Sequence, residues 1–299
     1  MDKNIDGKTV SKILYKELND YLLKQKDMPT IVDISIGDDY GGLMYSKMKQ
    51  EKISKETGIG FESIHFDKIT YEELINYIIT LNNNKNINGI MLQLPLPDYL
   101  ESREREILDT IKPEKDVDGL TTTSSGELAV GNDTFIPCTA LGIEVLLKSY
   151  DIDLEGKNIA IINRSNIVGK PLALLMLKDN TTPTICHSKT NNLKDITNKA
   201  DIIVAALNKK EFITGDYIKD GAIVIDVGVH KNNEGKTVGD VNFDDVYEKS
   251  SLITPPTGSV GPMTICMLAY NAAKSMYGSE INNILENGIS KAKNLTNQK

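Results

Sequence analysis

Short apolar runs that stop at glycine, proline or a polar turn alternate with segments of helical spacing, and they do so twice along the chain. TIVDISIG at 30–37 reads as a strand ending in Gly37, and 43–57 reads as a helix stopped by Gly58. FESIHF at 61–66 is a second strand, YEELINYIITL at 71–81 a second helix, and GIMLQL at 89–94 a third strand stopped by Pro95 and Pro97. Parallel strands need a long crossover, so this order predicts a parallel sheet with helices on its faces. The third strand carries no charge, which predicts a buried, central position. A helix around 141–150 leads into a second alternation, with strands at 158–163, 183–187, 201–205 and 222–226 and an edge at 251–254. The apolar-striped helix at 263–276 then returns the chain toward its first half. The expected fold class is α/β, as two lobes with a cleft between them. Residues 1–145 with 277–299 form one domain and 146–276 the other.

Two lobes need two cores, and 299 residues at 40% hydrophobic content supply them. The formal net charge of -8 offers no basic field, which argues against nucleic acid as a partner. No run of 18 apolar residues occurs, so no membrane span is expected. The start, MDKNIDGKTVSKIL, is too charged for a signal peptide, and the polar end SKAKNLTNQK at 290–299 is expected to fray. Cys138, Cys186 and Cys266 are scattered and odd in number, which suggests reduced thiols and a cytoplasmic chain.

The stretch IAIINRSNIVGKPLALLM at 159–176 has the outline of a strand, a turn and a helix able to hold a phosphate. In a doubly wound sheet the turn lies where ligands bind, at the carboxyl ends of the strands. The helix behind it would present free N–H groups and a positive dipole end. Arg164 and Ser165 stand in the turn, Gly169 permits close backbone approach, and Pro171 suits an early helical position. The G-x-G-x-x-G spacing is absent, so an ordinary tight turn without a ligand stays open. NAD sites place an acid on the ribose about 20 residues past the loop. Here TICHSKT at 184–190 offers His187, Ser188 and Lys189 instead, which favours a ligand with an extra phosphate: NADP over NAD. A hydrogen-bonded strand-end histidine remains the other reading of His187. GAIVIDVGV at 221–229 ends another strand, with Gly228 making room for a flat ligand, and the Gly-Asp at 239–240 in TVGDV suggests another tight turn.

In the first lobe, Tyr45 and Lys49 are four apart on one helix and share a face. A desolvated lysine serves as a base, yet Lys47, Lys52 and Lys55 stand nearby and periodicity does not choose among them. Gln93 closes a buried strand and needs partners, either a ligand or the neighbouring loop. Asp116 and Asp118 sit together in IKPEKDVDG at 111–119 without further ligands at metal spacing, so no metal is expected. A carboxylate there suits a planar heterocycle bearing amino and ring N–H groups, or else belongs to a surface turn.

MLQLPLP at 91–97, PEKDVDG at 113–119, NRSNIVGKPLA at 163–173, TICHSKT at 184–190 and VGPMT at 260–264 occur in this order. Together they closely resemble the bifunctional methylenetetrahydrofolate dehydrogenase/cyclohydrolase family, over roughly residues 5–285. The resemblance implies an N-terminal folate and catalytic lobe and a Rossmann-like NADP lobe. It implies NADP-dependent oxidation of 5,10-methylenetetrahydrofolate, then hydrolysis of the methenyl product to 10-formyltetrahydrofolate. A dehydrogenase-only member with weak or lost hydrolysis is the alternative. It further implies that Tyr45 stacks on the aminobenzoyl ring, Lys49 serves hydrolysis, Gln93 holds Lys49, and Asp118 anchors the pterin. Asn163, Arg164, Ser165, His187, Ser188, Gly228 and Val229 fall to the cofactor, and Gly258 and Pro262 to the substrate. A homodimer through the nucleotide lobes is implied as well. The chain departs from the family pattern at Ala140, Asn163, Asn208, Pro256, Thr257 and Ser259. Asn163 replaces a glycine, and asparagine tolerates the left-handed backbone such a turn would use.

Overall fold

The computed structural model describes residues 2–37 and 40–297. The chain divides into two compact units. The first comprises Leu14–Cys138 and Ile265–Asn287; the second comprises Met1–Ile13, Thr139–Thr264 and Gly288–Lys299. These limits differ from the expected 1–145 with 277–299 and 146–276, because continuous helices run through the points where the packing partners change.

In the first unit, Leu14, Leu18 and Leu22 form the buried stripe of helix α1 (Gly7–Leu22). Strand β1 (Thr30–Ile36), helix α2 (Tyr40–Thr57), strand β2 (Gly60–Phe66), helix α3 (Tyr71–Asn83) and strand β3 (Gly89–Leu92) follow. Gly58, at φ +73°, ends α2 where an L side chain would be strained. Thr70 and Glu73 close a reciprocal capping box on α3. The sheet order is β2-β1-β3, all parallel. β1 is therefore central, and β3, expected there, lies at the edge. β3 is nonetheless fully buried, because Asp116 bridges Ile90 and covers its outer side. Alternation then sorts the faces. Val32, Ile34, Ile90 and Leu92 pack with Leu74 and Ile78 of α3 into one core. Asp33 and Met91, paired in register, point to the opposite face, toward α2.

The second unit contains helix α4 (Cys138–Ser149, after its first residue), strand β4 (Asn158–Ile162), helix α5 (Gly169–Lys178) and strand β5 (Thr182–Cys186). Strands β6 (Ile202–Ala205), β7 (Ile223–Asp226) and β8 (Leu252–Ile253) complete a parallel sheet of order β8-β7-β6-β4-β5. The chain steps outward from β4 to β5, then returns across β4 to β6. The carboxyl ends of β4 and β6 thus frame a topological switch point, where doubly wound sheets bind ligands. Helix α6 (Val260–Tyr277) is followed by helix α7 (Glu280–Thr296). The polar end expected to fray is helical through Thr296, because Ile289 and Ala292 are buried and the Thr296 hydroxyl donates to the Ser149 carbonyl at 2.7 Å. No helix among the described residues is long and apolar enough to cross a membrane.

Candidate functional site

The α2-facing side of the first sheet carries a buried charge cluster. Lys49 is buried, with Nζ 3.8 Å from Asp33 Oδ2, 4.0 Å from Met91 Sδ and 5.0 Å from the Tyr45 ring centroid. Gln93 Nε2 donates to both Asp33 oxygens at 2.7 Å, and Ser46 donates to the same carboxylate. Asp33 is only 1% exposed, so these contacts replace its water. Asp33 thus contacts both Gln93 and Lys49. Sequence reading passed over Asp33. Its signal was present, as a lone acid inside the apolar run TIVDISI.

The turn that follows the short helical segment Pro113–Lys115 adds two more carboxylates, with different surroundings. Asp116 is buried and accepts from Leu120 N at 3.1 Å, Thr121 N at 2.9 Å and Ser124 Oγ at 2.6 Å. It holds its own loop together. Asp118 faces Lys49 and the Cys138 thiol. Burial pushes its carboxyl up to about 6, against the opposing pull of the Lys49 ammonium. Burial, with Cys138 and Asp118 alongside, raises the Tyr45 hydroxyl to about 12. Tyr45, Lys49, Gln93 and Asp118 are therefore brought together around Asp33. The set combines an aromatic face, an ammonium, an amide and a carboxylate acceptor.

In the second unit, Asn163 follows β4 and Ala206 follows β6. Asn163 Nδ2 donates to the Ala206 carbonyl at 2.7 Å, spanning the switch point. Its Oδ1 accepts from Ser165 N at 2.8 Å and Gly169 N at 3.1 Å. The expected left-handed backbone is not adopted, since Asn163 is absent from the positive-φ residues; the side chain staples the turn instead. A Cβ at Gly169 would come within 2.1 Å of the Asn163 carbonyl oxygen, which requires glycine there. The N–H groups of Arg164, Asn166 and Ile167 take no backbone or side-chain partner among the described residues, nor does the exposed Arg164 guanidinium. Beyond β5, His187 Nδ1 accepts from Lys189 N at 3.1 Å, and Ser188 beside it is exposed.

The ends of β6 and β7 are tied by two buried acids. Asp240 accepts from the successive N–H groups of Leu207, Asn208 and Lys209 at 2.6, 3.1 and 2.7 Å, and contacts His230 Nε2 at 2.8 Å. Asp226 accepts from Gly228, Asp240 and Val241 N–H groups, while burial raises its carboxyl to about 6. A Cβ on Gly228 would meet Asp240 Cγ at 2.4 Å. Val229, next along, is 72% exposed. Asn208 has φ +56°, so it takes a conformation suited to the glycine it replaces. Gly258, whose carbonyl accepts from Lys8 N, and Pro262, in the first turn of α6, belong to the second unit, apart from the unit holding Tyr45, Gln93 and Asp118. Ser259 is buried, Ala140 is fully buried, and Thr257 is exposed.

Two family models match the chain. One, described as tetrahydrofolate dehydrogenase/cyclohydrolase, catalytic domain, covers residues 5–118. The other, the NAD(P)-binding domain of the same enzymes, covers residues 137–279. The "Bifunctional protein FolD" of Bacillus licheniformis is 47% identical over 276 residues, covering 91% of this chain and 96% of that protein. A crystal structure of the bifunctional enzyme FolD, methylenetetrahydrofolate dehydrogenase/cyclohydrolase, from Campylobacter jejuni superposes with a TM-score of 0.86 at 42% identity, covering 91% of this chain and 97% of the other. The Trypanosoma brucei enzyme, complexed with NADP cofactor and inhibitor, gives 0.86 at 32% identity, covering 93% and 98%.

Proposed function

The chain belongs to the tetrahydrofolate dehydrogenase/cyclohydrolase family, and we propose that it oxidises 5,10-methylenetetrahydrofolate with NADP and hydrolyses the methenyl product to 10-formyltetrahydrofolate. The observation that carries this reading is the buried Lys49 flanked by Asp33 and Asp118, with Gln93 locked alongside.

Each group has a task in that chemistry. Asp118 accepts hydrogen bonds from the amino and ring N–H groups of the pterin. Tyr45 offers its ring face to the aminobenzoyl group. Lys49 assists hydrolysis, where water must lose a proton as it adds. The oxidation asks less of the protein, because the folate nitrogens stabilise the cation left behind. There the chain's work is to align and to exclude water. When bound, NADP supplies the hydride acceptor. The residues present fit it: the unpartnered Arg164 guanidinium and the free N–H groups of the turn suit phosphate, and β5 ends without an acid. Ser165, His187 and Ser188 line that side, with Asn163 holding the turn and Gly228 and Val229 beyond β7.

Homodimer formation through the second unit is supported by β5, an open sheet edge with exposed Thr182, Thr184 and Ile185. Three buried cysteines outside any disulfide and no long apolar helix among the described residues accord with a cytoplasmic enzyme.

A two-step assay, run with NADP and NAD in turn, tests the reading. Lys49→Met is expected to lower hydrolysis by at least ~10²-fold while oxidation persists. Undiminished hydrolysis in the variant, or equal loss of both steps in a folded protein, would refute the division of roles. A native chain that oxidises but does not hydrolyse would be a dehydrogenase-only member.

A further inference from the structure

We propose that Asp33 is a positioning residue for the hydrolytic step: its buried carboxylate fixes the Gln93 amide and holds the Lys49 side chain where hydrolysis needs it. The proposal rests on the reading of Lys49 given above.

The placement follows from register. Asp33 lies at the centre of the sheet, opposite Ser63 of β2 and Met91 of β3. Neither neighbour carries charge, and Asp33 is almost wholly removed from water. An unpaired carboxylate there would cost too much to retain. Its compensation comes from three side chains, and two of them are the proposed catalytic pair. Gln93 and Lys49 approach it from different elements, and Ser46 donates to it one helical turn before Lys49.

Two consequences follow for the site. A carboxylate only accepts, so the end of Gln93 turned toward Asp33 is its NH₂. Gln93 Oε1 is left as an acceptor that takes no bond from the described residues. The second consequence concerns charge. The titratable groups facing Lys49 are Asp33 from β1, Tyr45 from its own helix, Asp118 from the turn after residues 113–115, and Cys138 from α4. Asp116 is occupied by its own loop, and Asp118 is the group proposed to receive the pterin. Asp33 is then the acid that stays with Lys49 throughout turnover.

The test is Asp33→Asn, close in shape and without the charge, assayed for hydrolysis of the methenyl substrate and for oxidation of the methylene substrate. The expected result is a fall of about 10-fold or more in the ratio of hydrolysis to oxidation. An unchanged ratio would overturn the proposal. So would equal loss of both activities, the mark of a merely structural role. Gln93→Leu keeps the Asp33 carboxylate and removes the amide clamp, so it serves if Asp33→Asn does not fold. It should lower hydrolysis more than oxidation; an unchanged ratio there would overturn the clamp. Lys49→Met separates the two ideas. Hydrolysis surviving in that variant refutes the lysine reading itself, whatever Asp33 does.

Discussion

Replacing Asn163 by alanine removes three hydrogen bonds at once, to Ala206 O, Ser165 N and Gly169 N, at 2.7, 2.8 and 3.1 Å. A neutral hydrogen bond contributes about 0.5–1.5 kcal/mol net, so three sum to roughly 3 kcal/mol. The site is half-buried and water repairs part of the loss. An expected cost of about 2 kcal/mol remains. For a unit of this size that corresponds to a fall of roughly 4–8 °C in the thermal midpoint. Asn163→Gly is the sharper comparison, because the family pattern places glycine here. Since Asn163 does not use a left-handed backbone, glycine gains no conformational relief. It loses the same three bonds and adds about 0.5–1 kcal/mol of chain entropy. Thermal unfolding followed by circular dichroism should therefore rank native above alanine, and alanine at or above glycine. The Michaelis constant for NADP should rise in both variants as the turn loosens. A glycine variant as stable as the native chain would refute the stapling argument.

Arg164→Ala should weaken NADP by about 10–100-fold, the span of a charge-assisted contact, while NAD is little affected; equal loss of both cofactors in steady-state assays would remove Arg164 from the extra phosphate. The raised Asp118 carboxyl predicts folate binding that weakens as pH falls below about 6, because protonation removes an acceptor for the pterin N–H groups. Asp118→Asn should abolish that pH dependence together with most of the affinity, measured by fluorescence titration. The sign for stability is opposite. A folded carboxyl that holds its proton more tightly than the unfolded one gains stability as pH falls through about 6 toward the ordinary carboxylate range. A thermal midpoint that drops over that window specifically through Asp118 would contradict the burial argument.

What the sequence reveals here is what depends on near neighbours along the chain. The alternation of strands and helices, the shared face of Tyr45 and Lys49, and the acid-free end of β5 all rest on spacings of a few residues. Asp33 needed more. Its meaning appears only once β1 is paired with β3, which brings residues 33 and 93 together from 60 positions apart. Asn163 shows a different limit. Backbone tolerance suggested one way for asparagine to replace glycine, while a side-chain bond to Ala206, 43 positions on, supplied another. The centrality of β3 was misread because charge-free strands are buried on both faces, and a bridge from Asp116 buries an edge strand just as well. The terminal helix α7 escaped notice because its buried residues, Ile289 and Ala292, are sparse among polar ones.

The loop carrying Asp116 and Asp118 has a consequence for recognition. Asp116 satisfies two backbone N–H groups and the Ser124 hydroxyl from within the fold. Two positions later, Asp118 shares that tied segment, with the Cys138 thiol against its carboxylate. In the proposed role of Asp118, an arriving ligand would meet an acceptor whose direction was settled during folding, so little freedom would be lost at the moment of capture. Selectivity would then reside in geometry: a heterocycle whose N–H groups diverge from that direction would forgo the bonds that reward entry.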